Sequence, residues 1–102
     1  MILETAYPWT ADGNDNYSNI FGGGQEIAGY PFTQQGQKAI LHDITQQMIS
    51  GGGYGIIYWE PAWITSEMKD LWGTGSSWEN CTFFDFDENL HQGIDYMKEN
   101  YE

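Results

Sequence analysis

The apolar positions fall into four groups along the chain, each with its own period. Met1-Ile2-Leu3, followed by Thr5-Ala6, reads as a short strand entered at the first residue. From Thr33 to Ser50, Ile40, Leu41, Ile44 and Met48 recur at helical spacing, and Thr33 follows Pro31 as an N-cap. Gly51-Gly52-Gly53 ends that helix. Tyr54-Gly55-Ile56-Ile57-Tyr58-Trp59 is a continuous apolar and aromatic run of strand length, the pattern of a strand buried on both faces. Leu90, Ile94, Met97 and Tyr101 then predict a closing helix from about Glu88.

The order is strand, helix, strand, helix, which implies parallel strands joined by a right-handed crossover. The connections are unequal. Three glycines join the first helix to the second strand, whereas the strand-to-helix links run over roughly Tyr7–Phe32 and Glu60–Asp87. Both exceed the ~12–15 residues at which a loop calls for an explanation. Short links after helices and long links after strands characterise a (β/α) barrel, whose active site is built from the strand-to-helix loops. A full barrel takes about 250 residues, and these 102 form a single incomplete domain. Two strands cannot close, so unpaired strand edges are expected.

Charge narrows the partners. Three Lys+Arg stand against 15 Asp+Glu, a net charge of −12 that repels nucleic acid and anionic membranes. Five Trp, seven Tyr and five Phe supply flat faces that suit sugar rings, or an aromatic core. The single cysteine, Cys81, reads as a buried small hydrophobe. No membrane span and no signal peptide is evident. His42 and His91 read as surface or packing residues, Gly22-Gly23-Gly24 as loop, and Asp85 and Asp87 as favourable charge before the last helix.

Glu4 ends the first strand, where a barrel points its side chains at the mouth; alone, such a residue is equally at home in solvent. The second strand ends in Tyr58-Trp59-Glu60-Pro61-Ala62-Trp63. Trp59 there is either a sugar platform or filler for the barrel top, and Glu60 either binds a hydroxyl or caps a turn. Asp12-Gly13-Asn14-Asp15-Asn16-Tyr17-Ser18 puts oxygen-bearing side chains at every second position. That spacing is similar to the opening of an EF-hand loop, and equally to a turn in which Asp and Asn bond their own backbone.

Several longer blocks carry more information. They are Glu4-Thr5-Ala6-Tyr7-Pro8-Trp9-Thr10, then Gly29-Tyr30-Pro31 with Thr33, Gln34, Gly36 and Gln37. Gly55-Ile56-Ile57-Tyr58-Trp59-Glu60-Pro61-Ala62-Trp63-Ile64 follows, then Trp78-Glu79-Asn80 and Phe84-Asp85-Phe86-Asp87. In this order they resemble the glycoside hydrolase family 53 endo-β-1,4-galactanases across nearly the whole chain. The resemblance implies an α/β fold, a partial (β/α)8 TIM barrel holding strands 7 and 8 with their helices and long loops. It implies cleavage of β-1,4-galactan in type I arabinogalactan with retention of configuration, Glu4 being the nucleophile. Trp59 would stack on the sugar under attack, with Trp9, Glu60 and Trp63 as further substrate contacts. Retention needs two carboxyl groups about 5–5.5 Å apart, and the family's acid/base Glu ends strand 4, outside these residues. The isolated chain is therefore expected to be inactive.

The resemblance also implies a structural Ca2+ between the two long loops, as in some bacterial members. The matching positions are Asp12, Asn14, Asn16, Ser18, Ser76 and Glu79, with Glu79 standing where Asp is expected. The parent would be secreted or periplasmic. Two other readings stand beside the fragment. One is a non-catalytic module whose Trp9, Trp59, Trp63, Trp72 and Trp78 bind galactan or calcium. The other is a subunit completed by further copies or by a missing N-terminal barrel portion.

Overall fold

The computed structural model describes residues 1–71 and 73–102; Trp72, one of the expected sugar-binding aromatics, lies outside the described residues. Strand β1 (Ile2–Thr5) pairs in parallel with β2 (Ile56–Tyr58), and helix α1 (Gln34–Ser50) connects them. Ile2 lies opposite Ile56 and Thr5 opposite Tyr58, so β1 carries one extra residue between the two pairs.

The helix begins and ends as expected. Thr33 has extended backbone angles, and its hydroxyl accepts from the Gly36 N–H at 2.9 Å. At the far end the Gly51 and Gly53 N–H groups donate to the Gln47 and Met48 carbonyls, at 3.0 and 2.8 Å. The chain escapes through Gly52 at φ +86°, a conformation that favours glycine. The buried face of α1 is Gly36, Gln37, Ile40, Leu41 and Thr45. Ile40 and Leu41 join Tyr7, Tyr58, Phe83 and Tyr96 in the core, with Ile44, Ile56 and Ile94 packed around it.

Three expectations need correcting. The run Tyr54–Trp59 is not buried on both faces. Only Ile56–Tyr58 is strand; Tyr58 is buried while Ile57 is 48% exposed. The reason is that α1 covers one face of the two-stranded sheet and none of the described residues cover the other. Leu3, at 66%, is exposed there too.

The last helix is not an α-helix from Glu88. It is a 3₁₀ helix, Gln92–Lys98, whose buried positions Gly93 and Tyr96 are three apart. Leu90 and Met97, two of the four residues that suggested it, are exposed. Asp85 and Asp87 lie outside the first turn of this helix, whose acid is Asp95. The Asp85 carboxylate accepts from the Asp87 and Asn89 N–H groups, both at 2.9 Å, and shapes a turn in which Glu88 takes φ +67°.

The second long link also holds a short antiparallel pair, β3 (Lys69–Asp70) with β4 (Gly73–Thr74), and a 3₁₀ turn at Glu79–Cys81. Two-residue strands leave no period to read. Among the described residues no helix is long and apolar enough to cross a membrane.

His91 is a packing residue, 6% exposed. Its Nδ1 accepts from the Gly93 N–H at 3.0 Å, capping the 3₁₀ helix, and Nε2–H donates to the Thr82 carbonyl at 2.9 Å. Burial holds its pKa below the ordinary histidine value, although the Thr82 carbonyl and the Asp85 charge pull the other way. Between the lowered folded value and the unfolded value of about 6.5, only the unfolded chain takes up the proton. Stability is therefore lost as pH falls below about 6.5.

Two outcomes follow. The drop in urea midpoint between about pH 7.5 and 5.5 should shrink in His91→Asn, which keeps a capping oxygen; an equal drop in both proteins would clear His91 of the effect. A Cβ at Gly36 would overlap the Pro31 carbonyl oxygen. Gly36→Ala should therefore cost about 3 kcal/mol in urea unfolding despite its better helix propensity, and a stability gain would contradict this packing.

Candidate functional site

Two buried side chains fix the strand ends. The Tyr58 hydroxyl accepts from the Tyr7 N–H at 3.0 Å and donates to the Cys81 carbonyl at 2.5 Å. The Gln37 amide donates to the Tyr7 carbonyl at 2.8 Å and reaches the Cys81 carbonyl at 3.2 Å. Burial pushes the Tyr58 pKa up, so the phenol stays a neutral donor. Cys81 is fully buried, as expected, and burial raises its thiol to about 12.

Past these anchors the Trp59 N–H donates to the Thr5 carbonyl at 2.9 Å. Tyr58 packs on the α1 side and Thr5 opposite it is buried; the extra residue in β1 lets Leu3 and Glu4 both turn to the open face, where Ile57 and Trp59 also lie. Glu4 and Trp59 are both exposed, Trp59 by 46%. Glu4 has no hydrogen-bond or ion-pair partner among the described residues, and is free to meet a ligand. Glu60 follows at φ +47°, an uncommon conformation for a residue with a side chain.

Trp9 sits differently. Its indole N–H donates to the Glu79 carbonyl at 3.1 Å, and its ring lies 4.9 Å from Phe86 and 5.1 Å from His91. It joins the first loop to the second. Trp63 and Glu60 line a cavity of about 470 Å³ between the loops, with Tyr17, Asp70 and Trp78. Polar and aromatic walls of this kind suit a neutral, hydroxylated ligand. The binding-module reading already groups Trp78 with Trp63, whereas nothing in the sequence marks Tyr17 as a wall of the same cavity.

The loops are held together reciprocally. Glu79 Oε1 in the second accepts from the Asn14 N–H in the first, at 3.1 Å. Asp15 Oδ2 in the first accepts from the Ser76 N–H in the second, at 2.6 Å. The Asn80 amide adds donors to the Thr10 and Phe21 carbonyls. Asp15, at an odd position in the alternating stretch, is thus the acid that bridges, whereas Asp12, Asn14, Asn16 and Ser18 have exposed side chains.

For a hard cation the donor set fits in part. Glu79 is 2% exposed and its Oε2 has no partner in the protein, which leaves a buried oxygen available for a metal. Burial raises its pKa, the Asn14 N–H opposes that, and the neighbouring Asp15 charge adds to it. The six expected ligands do not share one cavity. Ser18 and Ser76 open on the 470 Å³ space, Asn16 on another of about 390 Å³, and Glu79 on a third. Among the described residues no three of His, Cys, Asp and Glu converge as a metal site.

The chain is 47% identical over 85 residues to an arabinogalactan endo-β-1,4-galactanase of Cellvibrio japonicus, covering 83% of this chain and 23% of that protein. It is 33% identical over 97 residues to an endo-β-1,4-galactanase of Bacillus subtilis, covering 85% and 23% respectively. It superimposes on the GH53 catalytic domain of Ignisphaera aggregans with a TM-score of 0.85 at 34% identity, covering 98% of this chain and 29% of that one. The chain thus spans about a quarter of the length of the relatives it matches. The model of glycosyl hydrolase family 53 matches residues 1–97. With the family model matched over nearly its whole length, the chain belongs to glycosyl hydrolase family 53.

Proposed function

We propose that this chain is the strand 7 and strand 8 segment of a retaining endo-β-1,4-galactanase barrel, with Glu4 as its nucleophile. The observation that carries this reading is the exposed Glu4 beside Trp59 on the open face of β1 and β2, in a chain of this family. In the reaction the Glu4 carboxylate attacks the anomeric carbon while an acid protonates the leaving oxygen, giving a glycosyl-enzyme ester. Water then cleaves that ester, with the second carboxyl acting as base. Trp59 offers a face to the sugar ring, and Glu60 and Trp63 extend the surface along the substrate. Trp9 acts beneath them by joining the loops.

The second carboxyl group comes from outside these residues, so a barrel portion preceding β1 is the partner we propose. It would also cover Leu3 and Ile57. Since the polymer is extracellular, the parent enzyme is secreted or periplasmic in this reading. A second reading is favoured by the 470 Å³ cavity, whose Trp63 and Trp78 would bind galactan without cleaving it.

Joined to the preceding barrel segment of a family member, the chain should release reducing ends from β-1,4-galactan. Glu4→Gln should lower that rate by about 10³-fold or more. Hydrolysis by the isolated chain, or full activity of the Glu4→Gln barrel, would defeat this assignment. Retardation of the isolated chain in galactan gels without cleavage would support the binding module instead.

A calcium ion between the loops, anchored by Glu79, belongs to the same proposal. Calcium favours the folded state by mass action. Chelation should lower the melting temperature by about 5 °C, restored by added Ca2+; an unchanged melting curve would remove the ion from the account.

A further inference from the structure

Burial along β1 breaks the alternation of a regular strand. Ile2 is half-buried, Leu3 and Glu4 are both exposed, and Thr5 is buried. Neighbours in a regular strand point to opposite faces, so Leu3 and Glu4 could not both reach the open one. The extra residue between the Ile2–Ile56 and Thr5–Tyr58 pairs resolves this and places Glu4 within a bulge. Pairing Glu4 instead of Thr5 with Tyr58 would turn the acid to the helix side.

The aim of Glu4 thus depends on what keeps Thr5 opposite Tyr58. Among the described residues β1 pairs with no strand but β2, so its far edge gives no help. The Trp59 N–H donates to the Thr5 carbonyl at 2.9 Å. Two residues further on, the Tyr58 hydroxyl accepts from the Tyr7 N–H at 3.0 Å and lies 3.1 Å from the Tyr7 carbonyl. Both polar backbone groups of Tyr7 therefore meet one side chain of the neighbouring strand. The Gln37 amide donates to the same carbonyl at 2.8 Å. Tyr58 is itself immobilised, with its ring 4.4 Å from Phe83 and its hydroxyl donating to the Cys81 carbonyl at 2.5 Å.

We propose that Tyr58 is a positioning residue for the candidate nucleophile: its hydroxyl clasps Tyr7 and so locks the β1 bulge in the register that turns Glu4 to the open face. This inference rests on the reading of Glu4 as nucleophile. Tyr58 touches no substrate in it. Losing the clasp frees the exit of β1, whereas Trp59, Glu60 and Trp63 keep their places at the end of β2 and on the second loop. The chemical step should suffer and sugar binding should not.

The test is kinetic, on β-1,4-galactan, in the barrel completed by the preceding segment of a family member. Tyr58→Phe keeps the ring and removes the clasp. It should lower kcat by about tenfold or more, since a misplacement of about 1 Å can cost about 10²-fold. KM should stay within about twofold of the parent. Gln37→Met removes the second donor to the Tyr7 carbonyl and should show the same split, which covers a Tyr58→Phe protein that does not fold. Ile40→Val trims the same core without removing a hydrogen bond and should keep kcat within about twofold. An unchanged kcat in both clasp variants, a rise in KM alone, or a kcat that simply follows the urea midpoint across all three variants would overturn the inference and leave Glu4 in its role. An inactive parent barrel, or full activity of Glu4→Gln, would overturn the nucleophile reading and this inference together.

Discussion

One buried knot holds this chain in shape. Gln37 is fully buried on α1, Tyr58 ends β2, and the carbonyls of Tyr7 and Cys81 come from the two long loops. The side-chain nitrogen of Gln37 faces the carbonyls of Tyr7, Cys81 and Thr82, so the amide has only one workable orientation. Turned over, its oxygen would face three others. The Gln37 oxygen itself is buried without a hydrogen-bond partner among the described residues, so the knot rests on the amide nitrogen and the Tyr58 hydroxyl, and losing either would leave carbonyls unpaired at about 1–3 kcal/mol each. Around it a helix, a strand and two loop roots keep one geometry, although the sheet has only two strands.

That geometry controls the site. Tyr58 is adjacent to Trp59, and Tyr7 lies three residues past Glu4. The knot therefore fixes the backbone from which both exposed side chains project. A core gathered on the helix side leaves the other face of the sheet largely uncovered by the described residues, and this is where the candidate chemistry sits. The exposed Leu3 and Ile57 beside it express the same division. An apolar strip and an acid share one open face, as they would at the mouth of a barrel whose interior is filled by other strands.

What the sequence made legible follows from how local each cause is. The N-cap at Thr33 and the stop at Gly51-Gly52-Gly53 depend on neighbouring residues, and both stand in the structure. The apolar run at Tyr54–Trp59 misled because periodicity reports what a strand can bury, whereas burial depends on which neighbours are present. The final helix misled for a different reason. Leu90, Ile94, Met97 and Tyr101 fit a period near 3.6, but the Asp85 turn and the His91 cap set a period of three. The loop contacts were the least legible. That Asp15 meets Ser76, 61 residues away, has no local signature.

The acidic balance gives the loops their remaining character. With 15 acids and three bases, most carboxylates cannot be matched by a side chain, so the chain satisfies them with backbone N–H groups. Asp15, Asp85 and Glu79 all do this. For an exposed or half-exposed acid, such donors and water suffice. Glu79 is the one placed deep enough that its donors from Asn14, Ser76 and its own backbone do not offset burial, since a buried charge is costly unless it is compensated. A loop pair held by acids therefore moves its electrostatic cost inward, to the single carboxylate that water reaches least. Anything that binds there acts on both loops at once, because the opposite oxygen of Glu79 already holds the backbone of Asn14.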